Sequence, residues 1–455
     1  MLKFKQNLCF VELANEQPLL SLYSFTSFCM DKSTYKIHII GAGVSGLIAA
    51  RVLEQHGYVP TILEGSGGIG GRVKTTTYQG MPLDHGFQVI LTAYPMVQKY
   101  LDIAALEPCY FDSGAAIYSK GDFHRIGDPL RNPYLLFPTI ISKVATLKDK
   151  VKIFLLQRGL QKKTITEIFD APETTTLEYL RKKGFSERVI HTFFLPFFSG
   201  IFLEDQLSTS SRMFEFVYKM FGEGKAMLPK QGIQAVPQQL SNSLTQTKIQ
   251  FNTKVAEVTD DQIIMDDGTA LKSDFTIIAT EASGLVRNLR KQEVPWKHCE
   301  TFYFKVTPQG KDTKLIHLSA DKNAWINSVV FLSRQLDKTD AGEIISVTVV
   351  KPYTFSMDQL VKNVMDELQQ LFSFDTIELI KQFTITKALP DLNNLKGDLS
   401  PQETRLLTRV FLCGDTLLNG SLNAAMHSGE RAAQGVIEVL EESPDLAQFT
   451  TEYLN

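Results

Sequence analysis

From residue 34 onward the chain alternates between two hydrophobic periods. "YKIHII" (35–40) is a short β-rich run, "GAGVSG" (41–46) a glycine turn, and "LIAARVLEQHG" (47–57) a helix stopped by Gly57. "YVPTILE" (58–64) follows as a second strand, which completes a strand–loop–helix–strand unit of about thirty residues. From about 95 to 227 the pattern is mostly helical and rich in aromatics, densest at "HTFFLPFFSGIF" (191–202). Period-2 alternation returns in "IQFNTKVAEV", "QIIMDD" and "ALKSDFTIIAT" (249–280), where Asp267-Gly268 marks a hairpin turn. "ETFYFKV", "TKLIHLSA", "SVVFLS" and "EIISVTVV", between 300 and 350, predict further strands. "SMDQLVKNVMDELQQLF" (356–372) predicts an amphipathic helix, and "TRVFLCGD" followed by "SLNAAMHSGERAAQGVIEVL" (421–440) a last strand, loop and helix.

This order predicts an α/β fold in which a Rossmann-like dinucleotide-binding domain is interleaved with a substrate domain of mixed β-sheet and helices. The first domain draws on 34–95, 228–285 and 395–441, and the second on 96–227 and 286–394. Residues 1–33 read as an extension. Its first 29 residues have only Lys3 and Lys5 as cations and no continuous apolar stretch, which suits a poorly ordered tail or an upstream start ahead of Met30.

Composition changes little. The length of 455 residues fits two or three domains, 44% hydrophobic content fits a globular chain, and a net charge of −3 gives no reason to expect nucleic acid. Five scattered cysteines without a C-x-x-C pair suggest neither disulfides nor zinc, and eight dispersed histidines suggest no metal site. With no apolar run of the roughly 18 residues a spanning helix needs, the expected setting is cytoplasmic, with room for peripheral membrane contact.

The chemistry begins at Gly41, Gly43 and Gly46, a G-x-G-x-x-G between a strand and a helix. Gly41 permits the turn, Gly43 lets a pyrophosphate approach the main chain, and Gly46 lets helix and sheet pack closely; Ser45 lies in the same first turn. The helix N-terminus offers N–H groups and partial positive charge to phosphates. Glu64 ends the second strand, 23 positions after Gly41, where it suits an adenosine ribose and would repel a 2′-phosphate. A second glycine run follows at once: "LEGSGGIGGRVKT" (63–75) holds Gly70, Gly71 and Arg72. Its backbone can pass close to a ligand and its guanidinium suits a pyrophosphate; taken alone, it reads equally as a surface loop with a solvated arginine.

"IIGAGVSGLIAARVLEQHGYVPTILEGSGGIGGRVKT" resembles the N-terminus of the flavin-containing amine oxidase superfamily, which includes the carotenoid desaturases and protoporphyrinogen oxidase. The family pattern places Glu64, Gly70, Gly71, Arg72 and Thr75 together. "LDHGFQVI" (83–90) resembles its segment near the isoalloxazine, with Gly86 and Phe87; "NTKVAEV" resembles the strand whose Val255 backbone meets adenine; "VFLCGDTLLNGSLNAAM" resembles the C-terminal flavin motif, with Gly414, Asp415, Asn423 and Ala424. The resemblance spans roughly 35 to 440 and implies non-covalent FAD, since Cys413 does not match the usual linking position. It also implies a helix N-terminus near residue 422 facing flavin N1 and O2.

For the activity, the resemblance implies an oxidoreductase in which a substrate carbon gives a hydride to flavin N5. Two marks of amine oxidation are missing: a Pro-Leu-Gly segment after "AT", where the chain reads "ATEASGLVRNLRKQEV", and an aromatic in "NGSLNAAM". The expectation is therefore a desaturase- or oxidase-type enzyme acting on an apolar molecule (polyene, isoprenoid or porphyrinogen-like), with oxygen, a quinone or another electron acceptor. Tyr94, Phe194, Phe197 and Phe198 are candidate walls of its pocket, each also able to serve as plain core. No catalytic acid or base stands out. An amine oxidase and a redox-neutral flavin isomerase are the alternatives. A non-enzymatic binder of this fold is disfavoured because the phosphate-binding residues are all present. Finally, "TLKDKVKIFLLQRGLQKKT" (146–164) pairs a basic face with interleaved apolar residues, which fits either a solvated outer helix or one lying on an anionic membrane.

Overall fold

The computed structural model describes residues 31–127, 144–289, 293–308, 314–339 and 342–442. Residues 1–30 of the expected extension 1–33 lie outside them; the described chain opens with a 3-10 turn, Lys32–Thr34, capped by Asp31.

Five short strands form a parallel sheet in the order Lys248–Gln250, Thr61–Leu63, Ile37–Ile40, Phe275–Ile278, Val410–Leu412. Every one of them falls in a segment expected to build the dinucleotide domain. Buried on both faces, such strands read as continuous apolar runs, as "IHII" and "FTII" do. Helix Val44–Gln55 packs one side, with Leu47, Ile48, Ala49 and Leu53 wholly buried. Helix Leu422–Glu442 crosses it so closely that a Cβ on Gly429 would stand 2.3 Å from the Ser45 carbonyl oxygen.

A second sheet of seven strands runs Ile377–Pro390, Trp296–Val306, Glu343–Val349, Ser328–Phe331, Ile316–Ser319, Gly114–Ser119, Asp122–Gly127. It is antiparallel except where Ile316–Ser319 meets Gly114–Ser119. Helix Met357–Phe372 buries Leu360, Val364 and Leu368 against its Phe302, Phe304, Phe331 and Val347. A helical layer formed by Leu147–Lys162, Thr176–Lys182, Leu195–Phe202 and Ser211–Glu223 completes this half. The region 95–227 is less helical than its pattern suggests. The hairpin Gly114–Ser119/Asp122–Gly127 turns on Lys120 (φ 54°) and Gly121 (φ 89°), a lysine-glycine pair with positive φ at both positions, as tight hairpins require.

The aromatic run carries an irregularity. Residues Ile190–Phe194 form a π-turn just before Leu195–Phe202. Pro196 has no N–H to return to the Thr192 carbonyl, and the widened turn stands just ahead of it; the Thr192 hydroxyl donates to Arg188 O at 2.6 Å and Val144 O at 2.8 Å.

Candidate cofactor and substrate cavity

One cavity of about 1840 Å³ runs between the two sheets. Its first end is built from backbone. Gly41 closes the turn at φ 104°, and its N–H donates to Leu63 O at 2.8 Å. Gly43, Val44 and Ser45, the first residues of helix Val44–Gln55, line the cavity. Gly46 lies behind them, where a Cβ would sit 2.1 Å from Gly41 O, so its part is helix–sheet packing. The second glycine run returns to the same spot. Gly70 N–H donates to Ala42 O at 2.9 Å, and Gly43 and Gly70 bridge in parallel, so both loops form one floor. Gly70 is at φ 108° and a Cβ there would meet Val73 O at 2.4 Å, which leaves no alternative to glycine.

Glu64 is held at the rim. One carboxylate oxygen accepts from Ala42 N–H at 2.7 Å, the other from Ser66 N–H at 2.8 Å and its hydroxyl at 2.7 Å. Both oxygens are held by donors, and Glu64 lines the cavity with acceptor capacity left over. Arg72 spans the far side of the floor. Its guanidinium forms a fork with both oxygens of Asp415, 3.1 Å from Nη1 to Oδ2, and lies 4.8 Å over the Trp296 ring. Asp415 is buried and Arg72 is half-exposed, so the arginine is the movable partner.

A buried bracket ties this floor to the next segment. Thr75 donates its hydroxyl to Asp84 at 2.6 Å, Asp84 also accepts Ile233 N–H at 3.0 Å, and the Thr75 hydroxyl accepts Gln234 N–H at 3.0 Å. Burial pushes the Asp84 carboxyl up to about 6, opposed by the Thr75 and Ile233 bonds. Gly232 is the residue that sequence reasoning missed here: a Cβ on it would stand 2.6 Å from Thr75 and 2.8 Å from Asp84. The bracket presents His85, Gly86 and Phe87 to the cavity. His85 bonds Thr76 at 2.7 Å and stacks on Phe383 at 4.0 Å; burial and nearby Lys74 and Lys381 lower its pKa.

The C-terminal wall is Gly414, Asp415, Thr416 and the start of helix Leu422–Glu442, whose Ser421, Leu422 and Ala425 line the space. A positive helix end therefore faces it. Two expected contacts differ. Asn423 turns its side chain outward to accept Met96 N–H at 3.0 Å, and Ala424 is wholly buried against Leu399 and Leu418. Facing side chains alternate every three to four residues along a helix, so 422 and 425 point in and 423 and 424 do not. Val255, expected to act through its backbone, buries its side chain in a cluster with Ile40, Leu63 and Ile278.

The second end is apolar. Tyr94 and Phe197 stand in its wall beside Phe193, Ile201, Met213 and Phe221. Phe194 and Phe198 do not. Both are 0% exposed and pack into the interior on Phe214, edge-on at 5.9 Å and tilted at 4.7 Å between ring centroids. The run thus has two stripes, 193/197 facing the cavity and 194/198 facing the core, while Phe202, 1% exposed, packs on Phe198 at 5.3 Å and also borders the cavity. Sequence reasoning also missed a polar corner. The strand pairing slips between Lys297 and Cys299, and this irregularity brings Lys297 and Thr386–Ala388 to the cavity. Lys297, its side chain 16% exposed, reaches Thr209 at 3.2 Å and Asp391 at 3.6 Å; Lys387 pairs with Glu281 at 2.6 Å. A slip in register leaves no mark in a linear pattern.

The first end fits a dinucleotide: a backbone floor with Gly41 and Gly70 at positive φ and no room for a Cβ at Gly70, two helix N-termini, an anchored carboxylate and a guanidinium. The profile of flavin containing amine oxidoreductases matches residues 44–437. Protoporphyrinogen oxidase 2 of Arabidopsis thaliana is 29% identical over 178 residues, 39% of this chain and 34% of its own length. An L-amino-acid oxidase of Bothrops moojeni is 26% identical over 311 residues, 64% of this chain and 60% of its own. The chain thus spans from a third to 60% of these curated relatives. The fold matches the CLA-producing fatty acid isomerase of P. acnes with a TM-score of 0.66 at 15% identity, over 88% of this chain and 98% of that one.

Proposed function

The chain belongs to the flavin containing amine oxidoreductase family, and from that premise we propose that it holds FAD non-covalently and dehydrogenates an apolar small molecule. The observation that carries the reading is the continuity of the cavity. A single ligand site commonly measures about 300–1,000 Å³. At about 1840 Å³, this one has room for a dinucleotide on the glycine floor and a second molecule in the apolar end.

Gly41, Gly43, Ser45, Gly70, Gly71 and Arg72 would hold the pyrophosphate side, Glu64 the adenosine ribose, and Gly86, Phe87, Gly414 and Asp415 the flavin side. When bound, the flavin supplies a two-electron acceptor. The chain's part is to bind, orient and keep out water. Phe193, Phe197 and Phe221 give the substrate an apolar wall, and the positive end of helix Leu422–Glu442 favours negative charge beside it. Cys413 is buried with its thiol pushed up by burial, which leaves no thiolate to attack a flavin and supports non-covalent binding. The absence of an aromatic between Asn419 and Ala425 favours the desaturase and protoporphyrinogen oxidase branch over amine oxidation. Lys297, in the polar corner of the wall, is a cation that would take an acidic end group of such a substrate.

A redox-neutral isomerisation is the second reading, favoured by the same apolar end and the likeness in fold to a fatty acid isomerase. Purified protein should be yellow and release FAD with acid; colourless protein that FAD cannot reconstitute ends the proposal. Polyenes, porphyrinogens and amines, added without oxygen, then separate the readings. Bleaching by an apolar substrate supports dehydrogenation, bleaching by amines alone overturns it, and product without acceptor consumption selects the isomerase.

A further inference from the structure

Helix Leu147–Lys162 has an apolar face that the fold does not use. Thr146 and Asp149 start it with a reciprocal capping box. Its inward stripe, Asp149, Ile153, Leu156 and Leu160, packs on the helical layer. The opposite stripe is apolar as well: Leu147 is 75% exposed, Val151 52%, Phe154 48% and Leu155 60%. The spacing i, i+4, i+7, i+8 puts all four on one side. They are four of the seven large hydrophobics exposed among the described residues; Tyr110, Phe123 and Phe251 are scattered singly.

Charge says what covers this face. The helix carries Lys148, Lys150, Lys152, Arg158 and Lys162, and its one acid, Asp149, is 2% exposed and bonded to Thr146 and Ser186. The exposed side is therefore apolar over its first turns, bordered by Lys148 and Lys150 and continued by Arg158 and Lys162 on the same side, the complement of an anionic lipid surface. Position adds a second argument. Leu147 and Phe154 belong both to the exposed stripe and to the cavity wall, so the face adjoins the apolar end of the cavity. Among the described residues no helix is long and apolar enough to cross a membrane.

We propose that helix Leu147–Lys162 docks the protein on the surface of an anionic bilayer, with the apolar end of the cavity beside the lipid. The docking surface stands on this helix alone, so it survives or fails separately from the flavin reading.

The test is sedimentation of the full chain with phosphatidylcholine vesicles, with and without phosphatidylglycerol, at low and high salt. Binding should be at least tenfold stronger to the anionic vesicles and weaken with salt. Val151→Asp with Leu155→Asp, neither in the cavity wall, should reduce it at least tenfold while melting temperature and bound cofactor stay unchanged. Should that pair misfold, Lys148→Gln with Lys162→Gln must lower anionic binding and leave the neutral background alone. The proposal is overturned by no binding, by equal binding to both vesicles, or by variants that bind like the parent. It is also overturned by a wild-type dimer that the aspartate pair converts to monomer without any vesicle binding, which would make the face an interface between copies.

Discussion

The two ends of the cavity are made differently. The proposed cofactor end uses main chain: glycines at positive φ (Gly41, Gly70, Gly71), helix starts, and three charged groups anchored by backbone or by one another. The substrate end uses side chains delivered by distant segments, from Tyr94 and Phe197 to Lys297 and Lys387. Main-chain recognition depends on a contiguous stretch with fixed spacing, so a change there removes binding outright. Side-chain recognition depends on which way each residue faces, so a change there alters selectivity or stability according to facing.

The largest expected effect breaks the first end without touching the fold. Gly43 has an ordinary helix-entry backbone (φ −71°), and a Cβ there would meet no atom within 4 Å. Gly43→Val should therefore fold normally, with an unchanged circular dichroism spectrum, yet purify without flavin. A yellow variant would remove the floor from the cofactor site.

At the second end, neighbouring phenylalanines should part ways. Phe198→Ala opens a buried cavity and should cost about 3–5 kcal/mol in denaturant titration, leaving substrate preference intact. Phe197→Ala should cost far less and shift KM. Equal costs would erase the distinction between the two stripes.

The Asp84 bracket couples the ends and should be visible in pH. A carboxyl raised from 3.8 to about 6 binds its proton more tightly in the folded state. The stability this contributes is present below about pH 4 and lost as pH rises through about 6, up to about 3 kcal/mol for a shift of about two units. Asp84→Asn has no such titration, so melting temperatures of the two proteins should diverge across that window and run parallel above it. A constant difference from pH 4 to 7 would mean that Asp84 is not protonated in the fold.

Arg72→Ala should weaken flavin retention ten- to hundredfold, or about 1.5–3 kcal/mol for a charge-assisted contact, by equilibrium dialysis. Unchanged retention would leave the Arg72–Asp415 fork as a strut only. The smallest and most selective effect belongs to Lys297→Met. It should raise KM for substrates with a carboxylate end and leave those without one unaffected; a uniform rise would make Lys297 part of the wall alone.

At the proposed cofactor end, the sequence indicated which residues come together. Gly41, Gly43, Glu64, Gly70, Gly71 and Arg72 meet around one floor as their spacing implies, because a tight turn and a helix start are local events with few alternatives. Gly414 and Asp415 were legible for the same reason, at the end of a strand. Asn423 and Ala424 were placed on the right helix but on the wrong side, since a motif names a segment and only the crossing of Leu422–Glu442 over Val44–Gln55 fixes which side looks inward.

The aromatic run shows the limit most clearly. Its composition marked a dense apolar element, and that much is determined by hydrophobicity alone. Which phenylalanines line a pocket and which fill a core was decided by the π-turn ahead of Pro196 and by the position of helix Ser211–Glu223, neither of which is written in the run itself. Gly232 under Thr75 and Asp84, and Lys297 at a slip in strand register, were likewise settled by contacts between segments far apart in the chain. Local backbone geometry is dictated by neighbours in sequence and can be read there. The facing of a side chain is dictated by what packs across from it, and that exists only once the chain has folded.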